Sequence, residues 1–228
     1  MSNPIATLTS VSRDFQSAPG APIQHVLRDV SLTILPGETI AVTGPSGCGK
    51  STLLNILGTL DQPSSGTVSL FDQNPASMDE SSLSRLRARH LGFIFQSHHL
   101  LPHLSAIENV LLPMLAGHDA PDLPAARARA TDLLARVGLA DHLSKFPAQL
   151  SGGERQRVAV VRALIRQPGL VLADEPTGAL DAASASSLTD LLLELNAATG
   201  SALVLVTHDQ STAARMQRHL RLHQGSLS

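Results

Sequence analysis

The chain has 228 residues, 43% of them apolar, which is enough to bury a full core as one domain with an inserted subdomain. A formal net charge of −2 and an aromatic content of 2% offer neither the basic field nor the stacking surfaces that nucleic-acid partners need. Cys48 is the only cysteine, so a disulfide framework is excluded. No stretch approaches the ~20 uninterrupted apolar residues that span a bilayer, and the N-terminus lacks a basic and apolar leader. We therefore expect a chain that is neither exported nor embedded in a membrane by itself.

The first part of the chain predicts two antiparallel strands and then a phosphate-binding unit. Residues 5–15 and 25–35 alternate apolar and polar side chains and are separated by a loop rich in Pro and Gly. Residues 38–44 form a short apolar strand that runs into a glycine-rich loop, and residues 50–60 follow with helical spacing. Strand, glycine loop and helix in this order are typical of a site for phosphate groups.

The remaining pattern predicts an α/β fold with an inserted helical part. Strands and helices alternate at the end of the chain, which implies a parallel sheet buried on both faces. The pattern is helical from Ser105 to Arg166, apart from a loop at 117–124. We predict one domain over 1–228, with a core from 1–96 and 168–228 and a helical subdomain at 97–167. The predicted elements here are strands at 66–71, 91–96, 169–176 and 201–209, helices at 78–90 and 182–198, and a terminal hairpin at 220–228.

The glycine loop has the spacing Gly44-x-x-x-x-Gly49-Lys50-Ser51. Its glycines let backbone N–H groups wrap nucleotide phosphates, and the following helix directs its positive end towards them. We expect Lys50 to bridge the outer phosphates and Ser51 to hold Mg²⁺. The alternative is a Gly/Ser turn before a core helix, which the flanking strand and helix disfavour. The candidate nucleotide-binding residues of this loop are Gly44, Pro45, Ser46, Gly47, Cys48, Gly49, Lys50, Ser51 and Thr52.

Two carboxylates follow the apolar strand at 169–176. Asp174 comes after four apolar residues, where a carboxylate beside a phosphate loop can act as a partner of Mg²⁺. Glu175 is predicted to point to the other side of an extended chain and to polarise a water for attack on the γ-phosphate. A solvated Asp-Glu pair on a loop is the alternative.

We expect three further polar residues, Gln96, Asp181 and His208, to lie at the ends of apolar strands. Ligands collect at strand ends in open parallel sheets. A single His after a strand is more typical of a capping or surface residue. Because the three occur together with the phosphate loop and the carboxylate pair, we expect them to belong to the same site.

A second glycine pair occurs in "LSGGERQRV", residues 150–158. Ser151 supplies a hydroxyl, Gly152 and Gly153 expose N–H groups, and the helix that follows directs its positive end at an anion. The pair can equally be a turn before a core helix, since Val158 and later residues form an apolar stripe. Both interpretations are compatible.

The motifs "GPSGCGKST", Gln96, "LSGGE", "LADEP", "GALD" and "VTHD", in this order, resemble the nucleotide-binding subunit of an ABC transporter over essentially the whole chain. The resemblance implies a RecA-like P-loop core with an antiparallel β subdomain and a helical subdomain. It also implies that two copies pair head to tail with ATP and Mg²⁺ between them, so that Ser151 to Glu154 of one copy closes over the nucleotide of the other. Glu175 and His208 are then catalytic, and Ser51, Gln96 and Asp174 hold the metal.

The resemblance assigns one further residue and carries two departures. Phe15 matches the aromatic that stacks on adenine, with a core Phe as the alternative. Within the family the chain is similar to the group of LolD, MacB and especially YbbA. That group usually has Asn where Ala179 stands, a difference at a dimer contact. Histidines follow Gln96, and we favour a polar surface that meets a permease over a metal site, because neighbours on a strand cannot easily face one ion. These histidines are His98, His99 and His103.

The resemblance therefore implies an ATPase that forms a homodimer with ATP and drives an integral-membrane permease from the cytoplasmic face of the inner membrane. It implies a peripheral subunit without direct nucleic-acid contact. Two alternatives remain: mechanical transmission without cargo, as in cell-division relatives, and a soluble ABC ATPase of DNA repair or translation. The second lacks support, because the chain has no long coiled coil, no tandem cassette and no basic surface.

Overall fold

The structure is a computed structural model that describes residues 3–16, 18, 20–115 and 122–228. Over these residues the chain forms strands and helices in the predicted order. The strands are β1 Ala6–Phe15, β2 Gln24–Ile34, β3 Thr39–Thr43, β4 Ser65–Leu70, β5 Leu91–Phe95, β6 Leu170–Asp174, β7 Ala202–Val206, β8 Arg218–His223 and β9 Ser226–Leu227. The α-helices are α1 Lys50–Leu57, α2 Glu80–His90, α3 Ala106–Leu115, α4 Leu123–Arg136, α5 Gly152–Leu164, α6 Ala182–Thr199 and α7 Gln210–Ala213.

The central sheet has the order β5-β6-β7-β3-β8-β9, and its first five strands run parallel. β3 and β7 are buried along their whole length, and β6 is buried up to Asp174. Continuous apolar strands of this kind need cover on both faces. The prediction of a buried parallel sheet is confirmed, and the terminal hairpin is the antiparallel pair β8-β9.

The two faces of this sheet pack against different elements. Leu170 and Leu172 point to a core that includes α1 and the strands β1, β2 and β4. Val171 and Ala173 point to a second core that includes α3, α4, α5 and α6. Each buried Leu or Val side chain contributes about 1.5–3 kcal/mol to folding, so the alternation along β6 ties both layers to the strand that ends at Asp174.

A second sheet, of order β2-β1-β4, is antiparallel. Its strands alternate buried and exposed residues, as a sheet with one wet face requires, and register shifts interrupt β1 after Leu8. The predicted antiparallel beginning of the chain is confirmed. This sheet brings Phe15, at the end of β1, to the side of the molecule where the glycine loop lies.

α3, α4 and α5 pack on one another beside the main sheet. Residues 117–121 of the predicted loop lie outside the described residues. α4 begins at Leu123 with Pro124 in its first turn, and the Asp122 carboxylate accepts from the Ala125 N–H at 3.0 Å, so the last two residues assigned to that loop are helical. The division at 97–167 stays a prediction. Among the residues described, no helix combines the length and apolar character needed to cross a bilayer.

Candidate functional site

The glycine loop joins β3 to α1 and passes very close to neighbouring backbone. A Cβ added at Gly44 would lie 2.1 Å from the Leu222 carbonyl oxygen. Gly49 caps α1 at φ +106°, and a Cβ there would lie 2.8 Å from the Val26 carbonyl oxygen. Only glycine fits at these two positions. The loop is therefore held in one shape by its own chain, with the positive end of α1 directed into it.

Lys50 and Ser51 begin α1 on the inner side of this loop. The Lys50 ammonium donates to the carbonyl oxygens of Gly44 and Pro45 at 2.9 and 3.0 Å, which places the charge within the ring of loop backbone. A cation at this point is suited to phosphate oxygens.

Asp174 ends β6 next to α1. Burial raises the pKa of its carboxyl group, whereas a hydrogen bond with Ser51 and the charge of Lys50 lower it. Burial disfavours the ionised form of a carboxyl group, and a nearby cation favours that form. The oxygen donors of Asp174, Ser51 and Gln96 are the ligand type that Mg²⁺ prefers, so these residues fit the metal that the sequence predicts.

Glu175 does not lie on extended backbone, and that part of the prediction is wrong. β6 ends at Asp174, and Glu175 has φ +46°, a left-handed conformation held by its N–H bond to the Val206 carbonyl oxygen at 3.0 Å. This turn directs the carboxylate towards the end of β7. There it pairs with the His208 Nδ1 atom at 2.9 Å. The structure thus brings the two predicted catalytic residues together.

Lys50, Ser51, Asp174, Glu175 and His208 line one cleft of about 720 Å³, which we call the phosphate cleft. Gly44, Pro45 and Cys48 belong to the same loop but are not among the residues that line it. Phe15 lies at its rim and is 42% exposed, so it is not a core residue. The Arg13 guanidinium lies 4.4 Å from the centre of the Phe15 ring and is held by two bonds to the Asp61 carboxylate at 2.9 and 2.7 Å. The lining includes Phe15, Ser46, Gly47, Gly49, Lys50, Ser51, Thr52, Gln96, Asp174, Glu175 and His208.

The second glycine pair lies on a different surface, at the start of α5. Ser151 caps the helix by accepting from the Glu154 N–H at 3.3 Å, and Glu154 Oε2 accepts from the Ser151 N–H at 2.7 Å. These bonds lower the pKa of the Glu154 carboxyl group, and the bond from the Ser151 backbone N–H has the largest effect. Glu154, predicted to bind nucleotide, thus has a capping role within its own chain.

Asp181 also caps a helix of its own chain, α6, so the expectation that it lies at the end of a strand is wrong. Its carboxylate accepts from the N–H and hydroxyl of Ser184 at 3.0 and 2.7 Å, which lowers its pKa, mainly through the Ser184 side chain. It lies beside the second glycine pair, and we call this surface the signature face. The signature face has a cleft of about 460 Å³ whose lining includes Ser151, Gly152, Gly153, Glu154, Ala179, Leu180 and Asp181.

The predicted site residues therefore form two groups within the described part of the chain. The phosphate cleft and the signature face have no lining residue in common. The structure brings Gln96 and His208 to the first group and Asp181 to the second. Sequence reasoning missed Arg13, although its position two residues before Phe15 on a predicted strand places both side chains on one face.

The three histidines after Gln96 do not lie on a strand. His98 and His99 form a turn beyond β5 with φ of +60° and +49°, and His103 is exposed. The expectation that His98 and His99 lie on a strand is therefore wrong. Over the described ranges, with their gaps at 1–2, 17, 19 and 116–121, no group of three His, Cys, Asp or Glu residues could hold a metal ion.

Comparison with known proteins identifies the family. The sequence model described as "ABC transporter" matches residues 27–178, which is more than half of the chain. The chain belongs to the ABC transporter family. This membership accounts for a phosphate loop, a carboxylate strand end and an LSGGE segment in one fold.

The ABC transporter relatives cover nearly all of the chain. The lipoprotein-releasing system ATP-binding protein LolD of Legionella pneumophila (strain Lens) is 53% identical over 91% of this chain and 91% of its own length. LolD of Pseudomonas syringae pv. tomato is 48% identical over 98% of this chain and 96% of its own length. A dimeric structure of the ATP-binding cassette MJ0796 bound to ADP and Pi aligns with a TM-score of 0.88 and 37% identity, covering 98% of this chain and 96% of that chain. A second dimeric structure of MJ0796 aligns with a TM-score of 0.89 and 38% sequence identity, and covers the same shares of the two chains.

This ABC transporter subunit binds ATP and hydrolyses it. The expected P-loop ABC fold is confirmed by the likeness to the MJ0796 cassette. The resemblance to LolD-type ATPases is confirmed as well, while a nearer likeness to YbbA stays a prediction. The relatives favour neither mechanical transmission without cargo nor action on nucleic acid.

Proposed function

We propose that this ABC ATPase powers a lipoprotein-releasing permease and works as a homodimer with Mg²⁺-ATP at two composite sites. In each site the phosphate cleft of one protomer faces the signature face of the other. One observation carries the proposal: the signature face has a glycine pair that its own chain does not require.

The evidence for this lies in the space around the two glycines. A Cβ added at Gly152 or Gly153 would meet no atom closer than 4.0 Å apart from chain neighbours, and neither residue has a positive φ. Glycine in a helix costs roughly 0.5–1 kcal/mol relative to Ala, so a pair without an internal reason indicates close approach by something outside the chain. The exposed N–H groups and the positive helix end favour an anion. A γ-phosphate held by a second protomer supplies that anion.

Within the phosphate cleft, we assign the loop N–H groups and Lys50 to the β- and γ-phosphates. Ser51, Gln96 and Asp174 are assigned to Mg²⁺, which when bound neutralises charge on the phosphate oxygens. The pairing between Glu175 and His208 uses Glu175 Oε2, and we assign Oε1 to the attacking water. General-base catalysis of this kind is worth about 10²–10⁴-fold in rate.

Two further parts of the proposal follow from the relatives. LolD is named as the ATP-binding protein of a lipoprotein-releasing system, and MJ0796 is a dimeric cassette in its solved structures. We propose the same assembly and cargo class for this chain, with the subunit attached peripherally to the cytoplasmic face of the inner membrane through its permease.

Phe15 is assigned to adenine, because its ring is exposed at the rim of the phosphate cleft.

A mixed dimer tests the composite site. One protomer carries Lys50→Ala and the other Ser151→Arg, with different tags so that the mixed species can be purified. If the signature face acts across the dimer, both lesions fall in one site and the second site is intact. We then expect ATPase activity in the mixed dimer, while both homodimers are inactive.

A crosslink removes the dependence on one site turning over alone. In a dimer whose tagged protomer keeps Lys50 and whose untagged partner carries Lys50→Ala, only the tagged protomer binds a photoreactive γ-phosphate analogue of ATP, and the analogue is expected to label residues 151–154 of the untagged partner. Labelling confined to the tagged protomer would contradict the composite site.

A transport assay tests the cargo class. Proteoliposomes that contain the subunit with its co-purified permease are expected to release a lipoprotein when ATP is added. Active ATP hydrolysis without such release would contradict that part of the proposal.

A further inference from the structure

The turn that follows Gln96 has an unfavourable backbone. His98 and His99 both lie in the left-handed region, at φ +60° and +49°, which residues with a Cβ rarely adopt. The local bonds are the His98 N–H to the Phe95 carbonyl oxygen at 3.1 Å and the His99 N–H to the Ser97 carbonyl oxygen at 2.6 Å. Conformations of this kind persist only where surrounding groups fix them.

Two side chains of α5 bond to this turn. Gln156 is fully buried, and its amide donates to the Phe95 carbonyl oxygen at 3.3 Å while its Oε1 atom contacts His98 Nδ1. Arg162 donates to the carbonyl oxygens of both His98 and His99 at 2.6 Å. The planar guanidinium thus spans the two strained residues with one rigid fork.

α5 also lies very close to β5, the strand that leads into the turn. A Cβ added at Gly92 would lie 2.5 Å from the Ala163 carbonyl oxygen. The helix is therefore fixed near its C-terminal end to β5 and through Gln156 and Arg162 to the turn. Its 13 residues span about 20 Å and begin at the glycine pair of the signature face.

We infer that Gln156 and Arg162 are positioning residues that join the turn after Gln96 to the helix that begins the signature face. The inference rests on the proposed function, because it gives Gln96 a role at the bound nucleotide. In the proposed site Gln96 contacts the nucleotide in a protomer's own phosphate cleft, so the effect of the nucleotide reaches the turn at His98 and His99. Through Gln156 and Arg162 that effect reaches α5, whose first turn carries the glycines that the protomer presents to its partner.

Hydrogen–deuterium exchange on the full chain tests the connection inside one protomer. The background is Glu175→Gln, which is expected to slow hydrolysis, at a protein concentration chosen so that size-exclusion chromatography shows a monomer with ATP and Mg²⁺. We expect ATP to alter exchange at residues 44–52 and also at residues 150–157. In Arg162→Met and Gln156→Met the response of residues 44–52 to ATP is expected to persist. The response of residues 150–157 is expected to fall about tenfold, because each variant loses hydrogen bonds made by a charged or buried side chain.

Arg166 provides the matched control. It is half-buried like Arg162, lies one turn further on, and donates to the Pro113 carbonyl oxygen at 3.1 Å rather than to the turn. Arg166→Met is expected to keep both responses to ATP. Equal responses at 150–157 in Arg162→Met and Arg166→Met would overturn the inference.

Milder variants cover the case in which a methionine substitution prevents folding. Arg162→Lys keeps the charge but loses the fork, and Gln156→Glu keeps the shape but loses the donor to Phe95. Both are expected to weaken the response at 150–157, and an unchanged response in both would overturn the inference. A background protein in which ATP leaves residues 44–52 unaffected would instead contradict the proposed nucleotide site itself, which separates the two failures.

Discussion

The phosphate cleft and the signature face both present glycines at the start of a helix, but their chain uses these glycines differently. Around Gly44 and Gly49 the backbone is so close that a Cβ would overlap a carbonyl oxygen, and α1 has no side-chain cap. Around Gly152 and Gly153 there is open space, while Ser151 and Glu154 form a capping box at the start of α5. The first region is shaped by its own fold to receive an anion. In the second region the chain makes its capping bonds within itself and leaves open space beside the two glycines.

This difference predicts that the two regions fail in different ways. Lys50→Ala is expected to lower the affinity of the monomer for ATP about 100-fold, because the β- and γ-phosphates lose a charge-assisted partner. Ser151→Arg is expected to leave that affinity within about twofold and still abolish hydrolysis, since it blocks only the partner's site. Titration with a fluorescent ATP analogue and a steady-state ATPase assay separate the two effects.

The chain supplies a control for the lysine. Lys145 is its only other lysine and lies outside the phosphate cleft among the described residues, so Lys145→Ala is expected to bind ATP normally. A Ser151→Arg monomer that loses ATP affinity as severely as Lys50→Ala would place the signature face in the site of its own chain and remove the distinction between the two regions.

Alanine substitution of the glycines tests the distinction through stability. Gly44→Ala places a Cβ 2.1 Å from the Leu222 carbonyl oxygen and is expected to lower the free energy of unfolding by at least about 3 kcal/mol, as backbone strain does. Gly152→Ala meets open space and is expected to raise it by up to about 1 kcal/mol, through better helix propensity, while ATP hydrolysis falls. Urea denaturation followed by circular dichroism measures both changes.

Gly200→Ala serves as a third case in that series. Gly200 has open space like Gly152 but a left-handed φ of +68° at the end of α6, so its substitution is expected to destabilise without affecting the catalytic rate of the folded fraction. A Gly152→Ala protein that is destabilised and fully active would show that the glycine pair serves its own fold.

The sequence predicted the regions whose signals are local. The alternation of apolar strands with helices defined the parallel sheet, because strands buried on both faces are continuously apolar. The spacing from Gly44 to Ser51 defined the phosphate loop, because the glycine requirement is set by neighbouring backbone. Asp174 followed from its place at the end of an apolar strand, and the structure brings it to Ser51.

The parts that could not be predicted depend on contacts between distant residues. Glu175 takes a left-handed φ because its N–H bonds to Val206, and nothing in "LADEP" reports that bond. The turn at His98 and His99 is held by side chains about 60 residues later in the chain. Helical spacing predicted that α5 is amphipathic, but not that a buried Gln and a half-buried Arg on it bond to a turn.

The smallest predicted effect concerns Phe15, at the rim of the phosphate cleft. Arg13→Met removes the guanidinium that lies against the ring, so the ring loses a cation–π contact of about 0.5–1 kcal/mol and its fixed orientation. We expect ATP affinity to fall about two- to fivefold, with the rate at saturating ATP unchanged. Arg28→Met, on the neighbouring strand and exposed, is the matched control and is expected to bind ATP normally. Because inorganic triphosphate has no base to stack, its affinity is expected to be the same in Arg13→Met and the unsubstituted protein. An equal loss for triphosphate and ATP would place the role of Arg13 at the phosphates and remove the assignment of Phe15 to adenine.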